Sequence, residues 1–163
     1  MNDQIRYGFS LSDQIAVDLA NEEAVKRNYF TKLAKPDVPV LEKNKVVKGL
    51  YSGGTLAAEA GMLISEALNL EGLVKQEGYI LHSHGYDVID LGDDIYTQGK
   101  PHPMIDPEVR IQKIEEYAED EQTGIILFDV VLGYGAHEDM VGALLPAIEA
   151  AQATAKTAGR DLY

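Results

Sequence analysis

The chain has 163 residues, with 14 Lys and Arg against 27 Asp and Glu, a formal net charge of −13. That length suits one domain with its own core, the lack of Cys excludes disulfide and zinc-thiolate scaffolds, and the acidic excess excludes binding DNA or RNA mainly by phosphate neutralisation. A 45% hydrophobic and 25% charged composition is that of a soluble globular domain. No apolar run approaches the roughly 20 residues of a membrane span, and Met1-Asn2-Asp3-Gln4 lacks the regions of a signal peptide, so the expected compartment is the cytoplasm.

In chain order, Ile15, Leu19, Ala24 and Val25 recur at helical spacings within residues 12–33, with Ser10 or Ser12 as N-cap. Pro36 and Pro39 then impose an extended connector. Residues 1–44 are therefore expected as a helical and linker segment, and 45–163 as the main domain. Residues 45–51 lean towards a strand, Ser52-Gly53-Gly54-Thr55 turns, and Leu56, Ala60, Leu63, Ile64, Ala67 and Leu68 predict a helix over 56–70. A short extended piece is expected at 78–82 and a strand at 87–91, closed by Gly92-Asp93-Asp94. After a loop holding Gly99-Lys100-Pro101-His102-Pro103, Asp106 caps a helix with Pro107 at its first position and Val109, Ile111, Ile114 and Tyr117 along it. Residues 124–132 read as a buried parallel strand interrupted only by Asp129. A helix over 138–158 follows, with a kink expected at Pro146. Strand and helix alternate, which predicts an α/β fold with a parallel sheet.

Ligands of such sheets bind beyond the carboxyl ends of the strands. Two of the three loops expected there are glycine-rich, Ser52-Gly53-Gly54-Thr55 and Gly133-Tyr134-Gly135-Ala136-His137. Their backbone amides, at the starts of helices, could hold a phosphate or carboxylate; the alternative is that these glycines serve packing alone. Neither loop matches a Walker or dinucleotide fingerprint, and neither contains Lys, which argues against an ATP cradle. The middle loop is acidic: Asp90, Asp93 and Asp94, with Asp106 and Asp129 near the same edge, could bind Mg²⁺ or do acid–base work, or merely cap turns. No metal is assigned. Among the histidines, His82 and His84 sit two apart, His137 is expected to open the last helix, and His102, held between prolines, is the catalytic candidate or a packed loop residue.

Four strings then carry a resemblance. They are Leu50-Tyr51-Ser52-Gly53-Gly54-Thr55-Leu56, Asp90-Leu91-Gly92-Asp93-Asp94, Gly99-Lys100-Pro101-His102-Pro103-Met104-Ile105-Asp106-Pro107, and Leu127-Phe128-Asp129-Val130-Val131-Leu132-Gly133-Tyr134-Gly135-Ala136-His137. In this order they resemble the FdrA family, within the succinyl-CoA synthetase-like, acyl-CoA synthetase group. The resemblance covers 45–163 and implies a CoA-ligase-type domain with a flavodoxin-like three-layer parallel sheet. In that group the turn equivalent to Gly133-Tyr134-Gly135 starts a helix whose N-terminus helps hold a phosphoryl group carried by a histidine of a partner domain. The Gly-His-Ala-Gly-Ala setting of that histidine has no match here, so the resemblance implies a domain that holds the group without carrying it. It also implies a C-terminally incomplete domain, with other FdrA-like domains or subunits as partners.

Three functions follow from the resemblance and the site. The first is an FdrA-like ligase-domain subunit that holds a phosphoryl or acyl-phosphate group on amides around Ser52, Gly53, Gly54, Thr55, Gly133, Tyr134, Gly135, Ala136 and His137, with Asp93, Asp94 and His102 positioning substrate. The second is a subunit of a carbamoyltransferase that moves a carbamoyl group between phosphate and oxamate in allantoin and purine breakdown. The third is a non-catalytic interaction module. In each, CoA, nucleotide or carbamoyl phosphate is met through partner domains and the chain itself holds no cofactor. The expected partners are a small anionic substrate and a possible second copy, with no nucleic acid and no membrane.

Overall fold

Val46 and Val47 start a β-branched run that forms β1, Val46–Tyr51, the first strand of a four-stranded sheet in this computed structural model, which describes residues 44–70 and 76–163. The described residues belong to one compact unit, Pro39–Tyr163. The helices and connector expected before residue 44 lie outside the described residues. Helix α1, Gly54–Leu68, follows, then β2, Tyr79–Ser83, and β3, Tyr86–Asp90. A single turn α2, Asp94–Thr97, precedes α3, Glu108–Glu119, strand β4, Thr123–Phe128, and α4, Met140–Thr157.

The strand order is β2-β3-β1-β4. β1 is central and parallel to both β3 and β4, with Leu50 opposite Ile89 and Phe128. β2 joins the edge antiparallel to β3, with His82 opposite Asp87. Its connection is the two-residue turn His84-Gly85, and both residues have positive φ, 51° and 86°, as hairpin turns of this length prefer. The expectation of parallel strands holds for three of the four. On the outer side of β4, the Tyr163 N–H donates to Gly124 O (3.0 Å) and Ile126 N–H donates to Tyr163 O (2.8 Å).

Alternation along the strands feeds two cores, one on each face, so the fold is a three-layer α/β arrangement. Leu50 and Ile89 pack with Ile114, Tyr117, Met140 and Leu144 of α3 and α4. Their neighbours Tyr51 and Val88 point the other way, with Leu81, towards Ala57 and Ile64 of α1. Leu50 has no exposed surface; truncating such a residue to Ala costs about 2–5 kcal/mol.

The face under α3 also contains charge. Lys48, 5% exposed, donates to Asp87 Oδ2 (2.8 Å) and lies 3.4 Å from Asp120 Oδ2 and 4.8 Å from the centre of the Tyr117 ring. Tyr117 also donates to Asp87 Oδ2 (3.2 Å), and the exposed His82 places Nδ1 2.6 Å from Asp87 Oδ1. Burial, then the charge of Asp87, pushes the Tyr117 phenol well above its usual pKa. For Asp120 burial pushes upward, but bonds from Gln122 N–H and the Thr123 hydroxyl and the charge of Lys48 together hold the carboxyl below its usual value.

Several boundaries differ from expectation. β4 ends at Phe128, so Asp129 lies just beyond the strand, where its carboxylate is engaged by Ser52. α4 starts at Met140 and not at 138, capped by Asp139, so His137 precedes the helix. Pro146 lies inside a helix that continues to Thr157. Among the described residues, no helix is long and apolar enough to cross a membrane.

Candidate functional site

The carboxyl ends of β1, β3 and β4 deliver Ser52, Leu91 and Asp129 to one edge, and the three expected loops meet there. Ser52 is buried. Its N–H and Oγ both donate to Asp129 Oδ1, at 2.9 and 2.7 Å. Arg110 of α3, with no exposed surface, reaches the same point: Nη2 donates to Ser52 Oγ (2.6 Å) and Asp129 Oδ1 (3.3 Å), and Nη1 to the Asp129 carbonyl (2.6 Å). Burial lowers the Arg110 pKa while the Asp129 carboxylate raises it; guanidinium remains protonated in proteins. Burial, then the charge of Asp129, raises the Tyr51 phenol above its usual value.

Gly53 is the residue before α1, with extended backbone, and no side chain caps that helix. Among the described residues, a Cβ at Gly53 would meet nothing within 4 Å. Gly54 is different, because a Cβ there would stand 2.8 Å from Asp90 Oδ2. Thr55 is exposed in the first turn. In the other helices, amides of the first turn donate to carboxylates of this chain: Asp93 accepts from Ile95 N–H, Asp106 from Glu108 N–H and Asp139 from Gly142 N–H.

In the middle loop Asp90 Oδ1 accepts from Gly92 N–H (2.9 Å). A Cβ at Gly92 would lie 2.6 Å from the Ser52 carbonyl, 2.9 Å from His102 Nε2 and 3.1 Å from Asp90 Oδ1, so only glycine fits. His102 Nδ1 accepts from Met104 N–H (3.2 Å). That bond leaves the proton of the neutral ring on Nε2, the atom turned towards Gly92, which makes His102 a donor there. The Met104 carbonyl accepts from His137 N–H (2.9 Å), tying this loop to the third. In the third loop, Gly133 and Gly135 have positive φ and open surroundings, Tyr134 is wholly exposed, and Ala136 N–H donates to the Gly133 carbonyl (3.2 Å). His137 Nδ1 accepts from Asp139 N–H (3.0 Å).

The structure thus brings together Ser52, Gly53, Gly54, Gly92, His102 and Asp129. Asp93 and Asp94 belong to the one-turn helix beside them, where Asp93 is a cap. His82 and His84 lie on the hairpin. Among the described residues, no group of three or more His, Asp or Glu could hold a metal ion. Sequence reasoning missed Arg110. Its signal was spacing: residues 110, 114, 117 and 118 share the buried face of α3, so a charged residue sat at a core position.

Comparison with known proteins adds two findings. A family model described as CoA-ligase matches residues 50–160. The uncharacterized protein YahF of Escherichia coli (strain K12) is 38% identical over 126 residues, which cover 74% of this chain and 24% of YahF. The chain therefore spans about a quarter of the length of this curated relative.

Proposed function

The chain belongs to the CoA-ligase family, and on that premise we propose that it is the ligase-domain part of an FdrA-like, NDP-forming acyl-CoA synthetase, holding a phosphoryl or acyl-phosphate group at its carboxyl edge. The observation that carries this reading is the start of α1. Among the described residues no side chain caps it and Gly53 is open, although the Asp90 carboxylate stands close to Gly54, whereas the first-turn amides of α2, α3 and α4 donate to carboxylates of their own chain. An anion at an uncapped helix start gains from the helix dipole and from amides that lack intrahelical acceptors. Gly53, Gly54 and Thr55 supply that end, Gly133 to Ala136 border the group, and the Nε2–H of His102 offers a donor. Asp93 caps α2 and Asp94 begins it, so both act indirectly, by holding the turn that follows Gly92. Acid, CoA and nucleotide are supplied by other domains.

Titration of the full chain with inorganic phosphate, carbamoyl phosphate and CoA tests this. Gly53→Asp is the clean variant, because its Cβ meets nothing while its carboxylate enters the proposed site. Phosphate affinity should fall about tenfold or more, as expected for like charges at contact range. Unchanged affinity would refute the site. Preference for carbamoyl phosphate over phosphate and CoA would favour carbamoyl transfer by the same edge.

A further inference from the structure

We infer that Arg110 is a positioning residue that locks the two glycine-rich loops into one spacing and neutralises the Asp129 carboxylate beneath them. The inference rests on the reading that this edge holds an anion. One guanidinium contacts the residue that precedes Gly53 and the residue that opens the 129–137 loop, through three hydrogen bonds. Asp129 Oδ1 receives Ser52 N–H, Ser52 Oγ–H and Arg110 Nη2, so any shift of one loop must break bonds to the other. Arg110 cannot touch a ligand, because it has no exposed surface. Its buried Nε has no hydrogen-bond partner among the described residues. Buried donors are ordinarily satisfied, so this position favours holding the two loops over filling every bond of the guanidinium.

The pair also removes the Asp129 charge from the local field. Asp129 alone would place a carboxylate under a site meant for an anion, and Arg110 cancels it at 3.3 Å. Two variants that break the same ion pair should therefore act oppositely. Arg110→Gln exposes the anion to an uncompensated carboxylate, whereas Asp129→Asn leaves an uncompensated cation. A merely structural pair would weaken binding equally from either side.

The experiment combines two measurements on the full chain. Inorganic phosphate should bind Asp129→Asn at least about tenfold more tightly than Arg110→Gln, as uncompensated charges of opposite sign near the site require. Equal affinities would overturn the electrostatic half. Backbone amide order parameters by NMR in the milder variants Ser52→Ala and Arg110→Lys should fall together at Gly53, Gly54, Thr55 and at Gly133, Gly135, Ala136. Loosening confined to one loop, or to neither, would overturn the lock. If the unmodified chain binds neither phosphate nor carbamoyl phosphate, the proposed function fails separately, and the order parameters alone decide the coupling.

Discussion

Two buried ion pairs stand at opposite ends of the same sheet. Lys48 and Asp87 face each other in register on adjacent strands, enclosed by Tyr117 and Asp120, and every partner is a side chain. Arg110 and Asp129 join a helix to a loop, and the bonds include the Asp129 carbonyl and the Ser52 amide. The first pair can fix only the core around it. The second reaches backbone that continues into glycine loops, so its geometry passes to the surface where a ligand would sit. Similar chemistry thus serves register in one place and loop placement in the other.

The largest test removes one charge of the enclosed pair. Lys48→Met should cost about 3–5 kcal/mol in urea unfolding, because Asp87 would remain buried without its ammonium partner, held only by the Tyr117 hydroxyl and the His82 ring. Adding Asp87→Leu should recover most of it; no recovery would mean that packing, and not the orphaned carboxylate, is responsible. Tyr117→Phe deletes a bond to a charged acceptor and should cost about 1.5–3 kcal/mol near neutral pH. That variant also carries a pH signature. The folded state holds the Tyr117 phenol protonated above its usual 10.0, while the unfolded chain releases the proton near that value. Stability should therefore be full below pH 10.0 and fall as pH rises beyond it, with a shallower fall in Tyr117→Phe. Arg110→Lys keeps the charge but loses the fork, so it should cost about 1–3 kcal/mol. His82→Ala should change stability by about 0.5 kcal/mol or less, since its side chain is 65% exposed beside the enclosed pair.

Much of the frame was legible because period and composition agree. Lys45 to Tyr51 and Asp87 to Leu91 read as strands, and Ser52-Gly53-Gly54 and Gly133-Tyr134-Gly135 fall at the strand ends, as apolar runs broken by glycine require. Asp106 ahead of Pro107 marked the start of α3 to within one residue: Pro107 takes the cap position, and Glu108, the first helical residue, donates its N–H to Asp106. What escaped depended on partners distant in sequence. Asp129 sat in an apolar run that looked like continuing strand, and only the donors of Ser52 and Arg110 explain why the ladder stops at Phe128. The antiparallel edge was hidden because His84-Gly85 lacks the usual Asn-Gly or Asp-Gly signature, although Gly85 supplies one of the two positive φ values. Gly92 looked like an ordinary turn glycine, and its crowding by the Ser52 carbonyl and His102 arises only when the loops converge.

The hairpin at His84-Gly85 also bears on the order of assembly. It is a sheet pairing closed by a two-residue turn, an event of about 1–10 μs in isolated hairpins. The contact between Ser52 and Asp129, by contrast, spans 77 positions and must wait for closure of a long loop. During refolding, the secondary-structure signal should therefore rise before the capacity to bind phosphate. The ligand edge is then a late product of folding, present only in molecules whose central strand has found both of its neighbours.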